Sequence, residues 1–430
     1  MGVVEMNGLK KYIRNNYHWV IVAVAFLESI VFGGILNSYG IYVIPITEGL
    51  GISRGLYSTI GIGQGIMTTI STMMTTILFR RFGYRKVLST SVGILGLSMV
   101  ITSVAANPWL YGISKILFGI GYGACHTAGA AWIVKSWFHK HYGLVLGIIT
   151  MGTGLGGSIF SVFMVNVMEA SNWRWAHVLS AGLLVAVMLL ILLLQRDTPE
   201  RIGLKPYGEG QLYTKDAIKK QQHKNWPGIS VEETKRNPAY FLMNLSVFLA
   251  CICVLITSAV LVPFFRDNGY SSVAAAKYQS VYMFSLAITK LLCGWVSEKI
   301  GGKALGIICV ACAAVGQFGL AGVAGPGLAY IFVVIFSVSL TMTSVTLPLL
   351  TQSVFGTETS TSIMGMILGV ASFGGLIGEP VSNWCHDIMG SYTPVFRLAA
   401  VMDIVVIGLL LVVFWIFGVK EKQYKKAKIG

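Results

Sequence analysis

Long apolar runs separated by short polar turns make up most of the chain. A run of about 18 or more apolar residues is long enough to cross the hydrocarbon core of a bilayer as a helix. Twelve such runs are predicted, near 19–46, 56–79, 87–106, 110–134, 143–168, 175–194, 239–265, 273–297, 304–324, 327–350, 361–384 and 394–418. Between the sixth and seventh lies 195–238, a polar stretch of 44 residues holding nine Lys and Arg. The pattern predicts an all-α polytopic membrane protein, a bundle of 12 transmembrane helices in two six-helix halves. The first half covers 1–194, the charged linker 195–238, and the second half 239–430 with a basic tail.

Composition removes the competing classes. Of 430 residues 55% are hydrophobic and 11% charged, against roughly 25% charged in a soluble domain. An ordinary cytosolic enzyme and a disordered or fibrous chain are both excluded. The net charge of +15 needs no nucleic-acid partner, because 25 of the 32 Lys and Arg fall in segments that the span count puts on one side. This is the positive-inside bias, and with an even number of spans it predicts a multi-pass plasma (inner) membrane protein with both termini cytoplasmic. Lys10, Lys11 and Arg14 lead into an apolar stretch too long for a signal peptide, so no cleavable leader is expected. The seven cysteines are scattered, and Cys251, Cys253 and Cys293 read as small buried hydrophobes.

The two halves echo each other. After the second run comes Arg80-Arg81-Phe82-Gly83-Tyr84-Arg85-Lys86, and after the eighth Gly294-x-x-x-Glu298-Lys299-Ile300-Gly301-Gly302-Lys303. Each is a short turn at the same place in its half, with Gly inside it and cations around it. Internal repeats of this kind suggest alternating access at the interface of the halves. Twelve spans arranged six and six with this repeated loop resemble the major facilitator superfamily, whose loop motif is G-x-x-x-D-R-x-G-x-R/K. The second copy matches it with Glu298 and Lys299 as the acid–base pair. The first departs: Thr76 takes the Gly position and Arg80 the Asp position, while Arg81, Gly83 and Arg85 or Lys86 remain. The resemblance implies a conformational latch built from Glu298, Lys299, Arg81 and Arg85, rewired in the first half.

Further signatures are Asn37-Ser38-Tyr39-Gly40-Ile41-Tyr42, Leu50-Gly51-Ile52-Ser53-Arg54, Tyr142-Gly143-Leu144 leading to Gly152-x-Gly154-x-Gly156-Gly157, and Asn172-Trp173-Arg174-Trp175. To these are added Pro199-Glu200-x-x-Gly203-x-x-Pro206-Tyr207-Gly208 and Glu379-Pro380 leading to Asp387-x-x-Gly390-Ser391-Tyr392. Together they resemble the oxalate/formate antiporter and monocarboxylate transporter branch along essentially the whole chain. The four glycines from Gly152 to Gly157 are expected to allow close helix packing at a moving interface.

Charged groups within spans are costly, so each one present is a functional candidate. Lys290 lies four residues before Gly294. At that distance the resembled family carries an anion-binding Arg, often with an Asp one turn earlier, where this chain has Leu286. A compact ammonium there suits a carboxylate, and snorkelling to the surface is the bland alternative. Lys115, Tyr122 and His126 share one helix face, beside Gly119, Gly121 and Gly123, which thin the helix for a neighbour. Lys115 reads as an attractor for anions and His126 as a proton handler, with structural pairing as the competing reading of each. Glu28, placed on one face with Tyr39, reads as a proton carrier, the partner of a buried Lys, or a strut. Asp403 in the twelfth span reads as structural.

The predicted function is a secondary carrier of small organic anions, mono- or dicarboxylates, by proton-coupled symport or antiport. Lys290 and Lys115 would bind substrate with hydroxyls from Tyr39, Tyr122 and Tyr330, and Glu28 and His126 would couple protons. A carrier of zwitterionic or neutral compounds, an amphiphile exporter, and a nontransporting receptor are the alternatives. No nucleophile–base set or metal cluster is visible, so no enzyme, metal or cofactor is expected. Expected partners are the small organic anion, protons or a counter-transported anion, and membrane lipids, for a monomeric carrier.

Overall fold

The computed structural model of the chain describes residues 16–125, 127–208, 231–322, 325–356 and 360–429. Among the described residues, twelve helices are long and apolar enough to cross a membrane. They are Tyr17–Asn37, Arg54–Phe82, Tyr84–Ser103, Pro108–Trp137, Gly143–Ala170 and Trp173–Leu194, then Pro238–Ser258, Ser272–Ser297, Lys299–Gly322, Pro326–Ser344, Ile363–Met389 and Thr393–Gly418. The chain divides into two compact units, one of Met1–Ile52 with Thr59–Leu212, the other of Ser53–Ser58 with Tyr213–Gly430.

Local chemistry sets the helix ends. Asn172 opens the sixth span by accepting from the backbone N–H groups of Arg174 and Trp175. Asn107-Pro108 and Asn237-Pro238 open the fourth and seventh: each Asn carboxamide caps a backbone N–H, of Leu110 and Ala239, while the proline sits where a missing N–H costs nothing. Gly83 separates the second and third spans with φ of 88°, and Gly301, near the start of Lys299–Gly322, breaks the helix between the eighth and ninth with φ of 79°. Their ψ values of 149° and 162° complete a conformation open essentially to glycine alone. The repeated loop of the sequence is thus a repeated turn of the backbone.

Inside the first unit the first span packs on the fifth and sixth, and the third on the fourth and sixth. Inside the second unit the seventh packs on the eleventh and twelfth, and the ninth meets the tenth at Gly316 and Gly319 and shares a cavity with Asp403 of the twelfth. Glycines make the close approaches possible. A Cβ on Gly152 or Gly156 would press on the Phe26 or Ile30 carbonyl of the first span, and one on Gly374 or Gly378 on the Phe248 or Ile252 carbonyl of the seventh. The packing role expected of Gly152 and Gly156 is therefore observed, with an equivalent in the other unit. Gly119, Gly121 and Gly123 likewise admit the Gln64 carbonyl, the Ser91 carbonyl and the Ser71 side chain.

Two helices break where continuity was expected. The first span stops at Asn37, and a 3₁₀ turn Tyr39–Tyr42 with a short helix Val43–Leu50 follows. Tyr39 is therefore off the helix that carries Glu28, and the shared face assigned to them does not exist. The tenth span passes from α-helix Pro326–Ser337 into 3₁₀ at Val338–Leu340 and π at Met342–Thr346, before Leu347–Phe355 resumes. Pro348 has no N–H to give and its ring crowds the carbonyl four residues back, which explains the widened turn. The cysteines are also less scattered than they read: Cys309-Val310-Ala311-Cys312 is a C-x-x-C spacing on the ninth span, both thiols free.

The linker does not leave the first unit at Leu194. Tyr17 Oη donates to the Leu194 carbonyl at 2.6 Å, His18 Nε2 lies 2.8 Å from the Lys205 carbonyl, and Trp137 Nε1 donates to the Arg196 carbonyl at 3.2 Å. Pro199–Ile202 forms a 3₁₀ turn that Gly203 ends with φ of 72°. Tyr207 pairs by backbone with Trp137 and His139. The Pro-Glu-x-x-Gly signature is thus a docking strap. The basic stretch Lys215–Lys224, which from its sequence reads as a short surface helix on the membrane, lies outside the described residues.

Candidate functional site

In the first unit Lys115 is 4% exposed, and its ammonium faces three aromatic rings: Tyr39 at 4.7 Å, Tyr111 at 5.0 Å and Phe118 at 5.7 Å. Ring faces are the negative ends of aromatic quadrupoles, so the cage holds a cation that lipid or a bare apolar core would reject. The break after Asn37 creates this arrangement, because it turns Tyr39 toward the fourth span instead of continuing the first.

Lys115 and Tyr39 line a cavity of about 20 Å³ together with Ser38, Gln64, His177 and Ser180. That volume holds one or two waters, so this conformation admits a small polar group rather than a whole substrate. Ser38 Oγ and Gln64 Oε1 are buried there with no hydrogen-bond partner among the described residues, which makes them available to a ligand. His177 hydrogen-bonds the Trp173 carbonyl through Nδ1 at 2.8 Å and its ring lies 4.5 Å from that of Tyr42. With Nδ1–H donating to a carbonyl, Nε2 is the acceptor of the neutral ring. The arrangement can bind an anion against the ammonium and orient it with a hydroxyl and a carboxamide.

The other expected site residues are dispersed. Tyr122 is buried and stacks on Phe118 at 5.5 Å, one ring removed from the ammonium. His126 lies outside the described residues. Glu28 is 4% exposed and accepts from Gln195 Nε2 at 3.0 Å, beside a small cavity lined by Ser29, Tyr84 and Cys125. Its described hydrogen-bond partner is thus a neutral amide from the start of the linker. Lys290 is half-buried on the eighth span. Tyr330 stacks on Tyr278 at 4.2 Å; Tyr278 and Lys290 are twelve residues apart on one helix, about 18 Å along its axis. Tyr330 is therefore not brought to Lys290.

At the repeated loops, Arg81 is exposed with its guanidinium 5.3 Å from the Phe82 ring, and Lys299 lies 3.9 Å from the Trp295 ring. The Glu298 side chain lies outside the described residues. The first loop has an acid after all, supplied from elsewhere. Asp197 accepts the Arg85 backbone N–H at 2.7 Å, pairs with Arg201, and sits 3.3 Å from where a Gly83 Cβ would stand. The Arg85 guanidinium bonds the Leu192 carbonyl. Changing Asp197 to Ala removes both partners and is expected to destabilise the first unit by about 1–2 kcal/mol. Thermal unfolding in detergent would read this as a midpoint lowered by a few degrees; an unchanged midpoint would show that the loop does not depend on the acid.

A second polar cluster belongs wholly to the second unit, which includes Ser53–Ser58. Arg54 grips Asp267 with both Nη atoms, Nη2 to Oδ1 at 2.8 Å, and also reaches His386 Nε2 at 3.2 Å and Tyr392 Oη at 3.1 Å. Tyr392 donates onward to Asn383 Oδ1 at 2.8 Å, and Asp387 accepts the Gly55 N–H at 2.7 Å. Burial, the largest influence on it, raises the Tyr392 phenol above its ordinary range, and the Arg54 cation partly offsets this. Arg54, Asp387 and Tyr392 all stand in the signatures quoted above. Arg54 gathers Asp267 and Tyr392 while Asp387 holds the N–H of the next residue, which supplies the physical role the signatures lacked.

A family model described as Major Facilitator Superfamily matches residues 19–379. The MFS-type transporter YcxA of Bacillus subtilis is 23% identical over 408 residues, 92% of this chain and 94% of that one. Monocarboxylate transporter 13 of Bos taurus is 23% identical over 398 residues, 91% and 88% of the two chains. Among solved structures, a nucleoside transporter, NupG, superposes with a TM-score of 0.72 at 14% identity, covering 93% of this chain and 99% of that one. A D-xylose–proton symporter gives 0.73 at 14% identity, covering 92% and 97%. A match of the family model over most of the chain, twelve spans and the fold of solved carriers lead to one conclusion: the chain belongs to the Major Facilitator Superfamily and is a multi-pass membrane transporter rather than an enzyme.

Proposed function

We propose that the chain is a secondary active carrier of small organic anions, mono- or dicarboxylates, working by alternating access in the plasma membrane with both termini cytoplasmic. The observation that carries the reading is the ammonium of Lys115, buried within a ring of aromatic faces on a cavity that also holds Ser38 and Gln64. A carboxylate about 4 Å from that ammonium would gain about 4 kcal/mol at an effective dielectric near 20. Similarity to monocarboxylate transporters points to the same class of substrate. Lys290, half-buried in the second unit, is the second cation offered to the anion. Protons or an exchanged anion complete the cycle; Glu28 and His177 are the carboxyl and imidazole beside the two small cavities of the first unit.

The test is thermal unfolding of the purified protein against mono- and dicarboxylates and amino acids. A ligand of the native state present at about 100 times its Kd stabilises by about 2.7 kcal/mol, so one carboxylate class is expected to raise the midpoint in proportion to the logarithm of its concentration. Lys290→Ala is expected to weaken that response while the ligand-free midpoint holds. Stabilisation by amino acids alone would overturn the anion reading and leave the transporter standing.

A further inference from the structure

The twelfth span carries a carboxylate that the site described above leaves unused. Asp403 is 0% exposed, and among the described residues neither of its oxygens receives an N–H or O–H; the one donor facing it is the weak thiol of Cys253. It borders a cavity of about 40 Å³ lined also by Cys251, Cys309, Ser339, Met342 and Thr343. The titratable groups facing it are thiols: Cys251 and Cys253 from the seventh span, the latter a weak donor toward it, and Cys309 from the ninth. Among the described residues the tenth span contributes hydroxyls and no titratable side chain, and no Lys, Arg or His lines the cavity. On its own helix the nearest cation in sequence, Arg397, is exposed.

An ionised carboxylate with neither cation nor strong donor costs many kcal/mol in such surroundings, and a group placed there takes up a proton instead. We infer that Asp403 is a proton-binding site of the second unit, separate from the anion cavity of the first. A hard metal cation needs about six oxygen ligands, and beside the carboxylate the lining side chains offer two hydroxyls, of Ser339 and Thr343. The cavity is large enough for two or three waters, enough to pass a proton to and from the acid.

The tenth span makes such a site consequential. Ser339 lies in its 3₁₀ segment and Thr343 in its π segment, where the backbone has left the regular α ladder. Releasing the proton places a full charge beside the part of the unit whose hydrogen bonds are most easily re-paired. Protonation of Asp403 therefore selects the packing of 338–346, and this holds whichever substrate the first unit takes.

The experiment needs no substrate. Infrared spectra of the full-length protein are recorded between about pH 5 and about pH 10, a range bracketing ordinary and strongly displaced carboxyls, for wild type and Asp403→Asn. Hydrogen exchange of 338–346, normalised at each pH to the intrinsic base-catalysed rate, is followed over the same range. The expected result is a protonated-carboxyl band present at neutral pH in wild type, lost in alkali and absent from Asp403→Asn. Exchange in 338–346 rises with the loss of the band in wild type and stays flat in the variant. If Asp403→Asn fails to fold, Asp403→Glu is expected to shift the band instead of removing it. A neutral-pH spectrum with no band that depends on residue 403 overturns the inference. So does an exchange profile in Asp403→Asn that follows pH as wild type does. A band that sodium chloride removes at fixed pH, when potassium chloride does not, replaces the proton with a sodium ion.

Discussion

Replacing Lys115 with Met is expected to abolish stabilisation by carboxylates while the protein still folds. Met keeps the length and apolar stem of Lys, so the side chains around it lose a charge and not a volume. Truncating one member of a buried, hydrogen-bonded charge pair costs about 2–5 kcal/mol, a loss of roughly 30- to 5000-fold in affinity for the anion. The carboxylate that raises the unfolding midpoint of the wild type should leave that of Lys115→Met unmoved at the same concentration. Lys115→Arg is the informative control. Its planar guanidinium stacks on the faces of Tyr39, Tyr111 and Phe118 and keeps the charge, but it is larger than a cavity of about 20 Å³ accommodates without movement. Partial, weakened binding is expected of it. If Lys115→Met binds carboxylates as wild type does, the ammonium is a structural cation and the anion site lies elsewhere.

Much of the fold could be read from one dimension. Span positions follow from hydropathy, because a bilayer demands an unbroken apolar helix of fixed minimum length. The repeated turns at Gly83 and Gly301 follow from a glycine flanked by cations at the same place in each half. The breaks were harder to see. The dip in hydropathy at Asn37-Ser38 is too short to separate Tyr39–Tyr42 from the apolar run around it. The π segment at Met342–Thr346 depends on Pro348 two residues beyond it, a signal the sequence does carry.

Site residues divide along the same line. Lys115 and Glu28 were legible because a charge in an apolar run is conspicuous by itself. Ser38 and His177 were not, since they reach the Lys115 cavity from the turn after the first span and from the sixth span, and only packing brings them together. Asp197 was hidden for the opposite reason. In a polar linker an aspartate carries no signal, and only the hydrogen bond to the Arg85 N–H shows that it serves the first loop. The same logic applies to Arg54 and Asp267, 213 residues apart and both at helix ends. Asp403 was visible as a charge, but what matters about it is the lack of partners around it, which only the fold shows.

The second large effect concerns stability, and it tests whether the glycines of the fifth span carry the packing assigned to them. Adding a methyl group at Gly156 would place a Cβ 1.9 Å from the Ile30 carbonyl oxygen and 2.8 Å from the Gly34 nitrogen. Both are backbone atoms of a helix and neither can swing aside, so the first and fifth spans must separate. They would then lose the neighbouring contacts at Gly33 on Thr153 and Gly152 on Phe26. Overpacking of a well-packed interior costs about 1–3 kcal/mol, and a clash with backbone sits at the upper end, so Gly156→Val is expected to fold poorly or not at all and Gly156→Ala to unfold several degrees early. Gly147, two and a half turns earlier on the same span, has nothing within 4 Å of the Cβ position. Gly147→Ala also gains helix propensity of up to about 1 kcal/mol, so its midpoint should hold or rise. Gly378→Ala, against the Ile252 carbonyl at 2.7 Å in the second unit, is expected to behave like Gly156→Ala in milder form. Equal midpoints for Gly156→Ala and Gly147→Ala would mean that the close approach of the first and fifth spans contributes nothing to holding the unit together.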